Sequence, residues 1–397
     1  MVLAKRVGSI EESATLAVTE KARQMKGDGI DVLSLSAGEP DFDTPDPIKQ
    51  AAIEAIQSGK TKYTSATGIL ELRKAIAKKL KDDNGLTYEP GQIVVSCGAK
   101  HALYNAITAL VDDGDEVLVP APYWTSYPEM VKAAGGVPVI IETGERDGFK
   151  IQARDLENSI NSKTKVILLN SPSNPTGAVY TKEELQAIAD VVLDTDLFVI
   201  SDEIYEKLIY ADARHVSIAA LNPELVDRTI VVNGVSKTYA MTGWRIGYAA
   251  GPLDVLQGVA NLQSQSTSNP CSIAQYAALA AVTGDQAFIG KMLKAYDERR
   301  RFLHQHLNAL PGVQCVEPKG AFYAFPRVAS YFGKKAGDVE IAGSAAFADA
   351  LLEQGRVATV PGAAFGADDY IRLSYATSLE VLEESVNRIE AFLKTVR

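Results

Sequence analysis

Lys237 follows Ser236 directly, and both lie in the segment Asn233-Gly234-Val235-Ser236-Lys237-Thr238-Tyr239-Ala240-Met241-Thr242-Gly243-Trp244-Arg245-Ile246-Gly247-Tyr248. The apolar β-branched run Thr229-Ile230-Val231-Val232 before it reads as a buried strand, which puts the lysine at a strand end. A lysine confined there loses its proton more readily than the unperturbed value of about 10.4 allows, and the free amine can attack a carbonyl. The Arg245 fork and the Ser236 hydroxyl suit a phosphate dianion. Carbonyl and phosphate in one small molecule point to pyridoxal phosphate. The same residues also fit a solvated loop lysine and a surface ion pair, so the other strand ends carry the argument further.

After the apolar run at 165–169 comes Asn170-Ser171-Pro172-Ser173-Asn174-Pro175-Thr176-Gly177, an irregular turn that can hold the Asn174 amide where it donates to a ring oxygen. An ordinary Asn-Pro turn explains it as well. After 197–200 comes Ser201-Asp202-Glu203-Ile204-Tyr205. A carboxylate at Asp202 would keep a pyridine nitrogen protonated, and a pyridinium is an electron sink. Tyr205 could hydrogen-bond the ring's phenolic oxygen. The other reading of Asp202 is a helix N-cap. After 93–95, Ser96-Cys97-Gly98-Ala99-Lys100 opens a helix whose N–H groups could cradle phosphate, although an αL turn also explains Gly98. In Pro122-Tyr123-Trp124 the indole could stack on a planar cofactor or fill core. Tyr370-Ile371-Arg372-Leu373-Ser374 places an arginine in an apolar alternating strand, and if it faces inward it needs an anion.

The elements that must position these residues follow from periodicity. From about 92 to 233, short apolar runs alternate with amphipathic stretches, giving expected strands at 93–95, 116–119, 137–141, 165–169 and 197–200. Helices are expected at 100–110 and after the capping box of Thr181 and Glu184. This predicts an α/β fold, a mostly parallel sheet with helices on both faces, whose ligands bind at the carboxyl ends of strands. Beyond it, a long polar helix at 285–310 carries Asp297-Glu298-Arg299-Arg300-Arg301 on an expected solvated face. Strand-like pieces at 313–316 and 321–325, a helix at 344–354, two more short strands and a last helix from about 379 predict a smaller α+β domain. The expected division is an N-terminal arm with part of the small domain (1–45), a large cofactor domain (46–284), and a connecting helix with the small C-terminal domain (285–397).

Composition narrows the partners. A net charge of −10 argues against nucleic acid and anionic membrane. Cys97, Cys271 and Cys315 show no metal spacing and suggest a reducing compartment. No metal is expected. Without an apolar signal core or a run near 18 apolar residues, a soluble cytoplasmic protein is the expectation.

Taken together, these residues resemble the class I (fold type I) pyridoxal phosphate-dependent aminotransferases. The likeness is greatest to the bacterial and cyanobacterial aspartate aminotransferase subgroup, which includes prephenate aminotransferases. Its marks also include Ala37-Gly38-Glu39-Pro40-Asp41-Phe42, Lys62-Tyr63 and Ile371-Arg372-Leu373-Ser374-Tyr375-Ala376. The resemblance implies that Lys237 links to the cofactor and shuttles the substrate proton. It implies Asp202 on the ring nitrogen, Tyr205 and Asn174 on the ring oxygen, and Trp124 stacked on the ring. Gly98, Ala99, Ser236 and Arg245 match phosphate-binding positions, and Tyr63 one that reaches the neighbouring subunit's phosphate, implying a homodimer with shared active sites. Arg372 resembles the clamp on the substrate α-carboxylate, helped by Gly38, Asn174 and Trp124.

For the distal end, 265–270 lacks the arginine that another aspartate aminotransferase subgroup uses; Lys100 and the Ser13-Ala14-Thr15 hydroxyls match the subgroup resembled here. Glu11-Glu12 departs from relatives with a basic residue nearby, which weakens prephenate as a substrate. The implied activity is aspartate aminotransferase, converting L-aspartate and 2-oxoglutarate to oxaloacetate and L-glutamate. The alternatives are prephenate or broad aromatic transamination, a C–S lyase or decarboxylase on the same fold, and a non-enzymatic regulator; regulators of that kind carry a basic helix-turn-helix, absent here before Gly38.

Overall fold

A computed structural model describes residues 3–397. Seven strands form its main sheet, in the order Ile93–Ser96, Gly247–Ala250, Thr229–Gly234, Phe198–Asp202, Thr164–Asn170, Glu116–Ala121 and Val137–Glu142. Every pairing is parallel except the two made by Gly247–Ala250. The sheet is apolar on both sides because alternate residues go to opposite faces. Val94, Val166, Leu168, Ile200 and Val232 pack with the helices Ala99–Leu110 and Leu253–Ser266. Ile93, Val95, Val231 and Ala250 pack the other way, against Leu70–Asn84 and Ser272–Thr283. The helix Lys182–Leu193 opens as its sequence predicts: Glu184 N–H donates to Thr181 Oγ1 at 3.2 Å, and Thr181 N–H to Glu184 Oε2 at 2.8 Å.

The C-terminal part is built on the helix Ala287–Ala309 and a three-stranded antiparallel sheet of Val360–Pro361, Ile371–Ser374 and Tyr323–Ala324. Leu33–Ser34 pairs parallel with Val357–Ala358, tying the first segment to this part. Among the described residues, no helix is long and apolar enough to cross a membrane.

Two expectations need correction. Arg300 is not on a solvated face; it is buried at 2% exposure in line with Met292, Tyr296, Leu303 and Leu307. Its charge is met by Asp297 at 2.8 Å and Glu317 at 2.6 Å. The run 313–316 forms no strand beyond one bridge, Gln314 to Arg327. The Cys315 N–H and carbonyl are taken by the Asn308 side chain, with His304 also on the carbonyl, so little of that backbone is left to pair.

Candidate active site

Six strands end at one rim of the sheet, and the turns after five of them surround a cavity of about 380 Å³. It is lined by Ala99 and Lys100 after the first strand, Trp124 after the next, and Asn174, Asp202, Tyr205, Ser236, Lys237 and Arg245 after the others. Gly38 and Thr15 come from the N-terminal segment and Arg372 from the C-terminal sheet. The structure therefore brings together almost every residue singled out from the sequence. Tyr63 lies elsewhere, 90% exposed.

Lys237 donates to the Gly38 carbonyl at 2.5 Å. Burial pushes its amine down to about 8; Glu39 opposes the fall, and Arg372 and Arg245 add to it. A substantial fraction is thus a neutral nucleophile near physiological pH, as attack on a carbonyl requires. The same shift destabilises the fold. A base with a depressed pKa contributes stability present above its unfolded value of 10.5 and lost as pH falls through about 8. At about 1.4 kcal/mol per unit, the buried ammonium costs on the order of 3 kcal/mol at pH 7. Cofactor-free Lys237→Met is therefore expected to resist urea better than the cofactor-free parent at pH 7. The gain should shrink between pH 8 and 10.5; a gain that does not change with pH would contradict the assigned shift.

Asp202 ends its strand, and no helix follows, so it is not an N-cap. It is 4% exposed. Burial pushes its carboxyl up to about 6, against the pull of two donors: Tyr127 Oη–H to Oδ2 at 2.7 Å and Ile204 N–H to Oδ1 at 3.2 Å. A carboxylate with this poise gains from a cationic N–H brought beside it. Tyr205 shares a hydroxyl–hydroxyl hydrogen bond of 2.8 Å with Tyr323. Asn174 Oδ1 accepts from Arg372 Nη1 at 2.9 Å, so its Nδ2 group is the one able to donate to a ligand.

Gly98 precedes the helix Ala99–Leu110 with φ +89° and ψ 162°, a region open to glycine and not the αL turn that was its alternative explanation. A Cβ there would overlap the Arg245 guanidinium, and one on Gly247 would overlap the Ala99 backbone nitrogen. Close packing at these two glycines brings Arg245 against the start of this helix, and Ala99, Ser236 and Arg245 all line the one cavity, a set of donors suited to an anion. Arg372 is 1% exposed; its Nη2 donates to the Ser36 carbonyl at 2.8 Å, while Nε has no partner. Its guanidinium lies 4.5 Å from the Tyr323 ring centre. Lys100 holds its ammonium 4.8 Å over the Trp124 ring.

Sequence reasoning missed Tyr127, Tyr323 and Asn170. Asn170 Oδ1 accepts from Asn174 N–H at 2.9 Å, and its Nδ2 donates to the Asp202 carbonyl at 3.0 Å, locking two strand ends together. Its position as the last residue of an apolar strand was the available signal.

This donor set fits pyridoxal phosphate: an N–H and guanidinium cradle for the dianion, a buried carboxylate for the ring nitrogen, and an amine for the aldehyde. Comparison with known proteins agrees. The family model for aminotransferase class I and II matches residues 30–389. The aspartate aminotransferase of Geobacillus stearothermophilus is 52% identical over 397 residues, 99% of both chains. The aspartate/prephenate aminotransferase of Cereibacter sphaeroides is 50% identical over 392 residues, 98% of each chain. The crystal structure of the aspartate aminotransferase from Rhizobium meliloti superposes with a TM-score of 0.96 at 44% identity, covering 100% of both chains. With its cavity chemistry and its end-to-end relatives in agreement, this chain belongs to the class I and II aminotransferases and is a pyridoxal phosphate-dependent aminotransferase.

Proposed function

We propose that the protein transfers the amino group of L-aspartate to 2-oxoglutarate, giving oxaloacetate and L-glutamate. The observation that carries this reading is Arg372, a buried guanidinium bonded only to neutral oxygens and with Nε unpartnered, in the same cavity as Lys100. A buried cation of this kind is incomplete without an anion. Arg372 takes the α-carboxylate that every donor carries, and Lys100 with Thr15 takes the second carboxylate of a dicarboxylic acid. Relatives named aspartate aminotransferase support the choice. Prephenate is the second reading, favoured by the relative named for both substrates and opposed by Glu11 and Glu12, which line the neighbouring cavity.

Gly98, Ala99, Ser236 and Arg245 would hold the cofactor phosphate, Asp202 the ring nitrogen, Tyr205 and Asn174 the ring oxygen, and Trp124 the ring face. Bound there, pyridoxal phosphate supplies an aldehyde and an electron-withdrawing ring. The protein's share is positional and protonic. Arg372 and Asn174 orient the substrate, Asp202 stays ionised, and the Lys237 amine moves the proton from the substrate α-carbon to the carbon that carried the cofactor's aldehyde. Tyr63, exposed in a single chain, serves a partner's phosphate in a cytoplasmic homodimer with shared sites.

A donor panel tests the substrate assignment. Arg372→Ala should impair all donors. Lys100→Ala should lower kcat/KM for aspartate and glutamate by about ten- to a hundredfold, the worth of a charge-assisted contact, and spare aromatic and neutral donors. An equal loss for acidic and neutral donors would remove Lys100 from substrate recognition.

A further inference from the structure

Asp202 presents two carboxylate oxygens, and the protein occupies one lone pair on each: Ile204 N–H holds Oδ1 and Tyr127 Oη–H holds Oδ2. The first donor belongs to the backbone two residues on. The second comes from a different element, the helix Ser126–Ala134, and crosses the cavity's base from the turn that also carries Trp124. Tyr127 is 3% exposed. Its N–H donates to the Trp124 carbonyl at 2.9 Å, and its ring meets the Trp124 indole edge to face at 5.4 Å. The hydroxyl therefore has little freedom to point elsewhere. A carboxylate held at both oxygens keeps its plane fixed and still has lone pairs for a third donor.

We propose that Tyr127 is a positioning residue for this reaction: its hydroxyl holds the Asp202 carboxylate ionised and in one orientation, and so sets the affinity for pyridoxal phosphate. The proposal rests on the reading of Asp202 as the partner of the ring nitrogen. The charged and titratable groups around Asp202 are Lys237, Glu203, Tyr205 and Tyr127 itself. Lys237 and Tyr127 favour the anion, and Glu203 disfavours it. Burial, and then Asp202, raise the Tyr127 hydroxyl well above its ordinary value, so it remains a donor throughout the accessible range. Removing that donor raises the Asp202 pKa. Above both pKa values the carboxylate is already ionised before the cofactor arrives, and little affinity is lost. Below them a proton must first leave, and the loss grows as pH falls. Mere core filling by Tyr127 would produce no such pH dependence.

The test is the equilibrium dissociation constant for pyridoxal phosphate of the full-length cofactor-free protein between pH 5.5 and 8.5. Parent, Tyr127→Phe, Asp202→Asn and the double variant are compared. Phenylalanine removes one oxygen and keeps the ring contact with Trp124, and a melting curve at pH 8.5 checks the fold. The ratio of Tyr127→Phe to parent cancels the ionisations of Lys237 and of the cofactor, which both proteins share. It should be near one at pH 8.5 and rise to about ten at pH 5.5, as expected for one unit in the Asp202 pKa. With Asp202→Asn already in place, Tyr127→Phe should add no pH-dependent loss. A ratio that stays flat, at any level, overturns the role of Tyr127. If Asp202→Asn is weakened while Tyr127→Phe matches the parent throughout, only Tyr127 loses its part. If Asp202→Asn also binds like the parent at every pH, the ring-nitrogen reading of Asp202 fails with it.

Discussion

Lys237→Ala is expected to abolish transamination while leaving a folded protein that still binds pyridoxal phosphate. The amine has two duties in the proposed reaction, holding the cofactor covalently and moving the α-proton. Loss of a positioned general base alone lowers rates by about 10²–10⁴-fold, and loss of the covalent link adds to that. The phosphate contacts of Gly98, Ala99, Ser236 and Arg245 do not depend on the amine, so affinity should fall far less than turnover. Single-turnover kinetics with aspartate, set beside equilibrium binding of the cofactor, separate the two effects. Parallel losses in both would mean that Lys237 chiefly holds the cofactor in place.

Asp202→Asn should lower kcat by about 10²–10³-fold, the scale of removing one preorganised electrostatic contact, with a much smaller change in KM. The carboxylate's proposed work is to keep a ring nitrogen charged, and its value is greatest as charge develops in the transition state. Asparagine preserves size: its Oδ1 can still accept from Ile204 N–H, and its Nδ2 can donate to the Tyr127 hydroxyl oxygen, so packing should survive. A variant with near-normal kcat would reduce Asp202 to a structural strand end.

The sequence reading found the strand ends because the central strands are buried on both faces and therefore appear as unbroken apolar runs. Once Ile200, Val232 and Leu169 were placed in such strands, Asp202, Lys237 and Asn174 had to follow at the rim where ligands bind. The rest depended on tertiary contacts. Tyr323 lies among apolar neighbours and looks like core in the chain, Tyr127 sits in the mixed run Thr125-Ser126-Tyr127-Pro128-Glu129, and only the folded geometry directs their hydroxyls to Tyr205 and Asp202. Arg300 was hidden inside a charged run, although its spacing of four from Tyr296 and three from Leu303 marks the buried face. The run 313–316 has the composition of a strand, but Asn308 satisfies the Cys315 backbone first. Local pattern does not reveal competition of that kind.

The central claim is that the cofactor aldehyde is held by the Lys237 amine, and borohydride reduction tests it most directly. The protein loaded with pyridoxal phosphate is reduced, digested and mapped by mass spectrometry. The account predicts one modified lysine, Lys237, and loss of the label when excess aspartate and the subsequent removal of the aminated cofactor precede reduction. A label on another lysine, or none on a protein shown to be loaded, would contradict it.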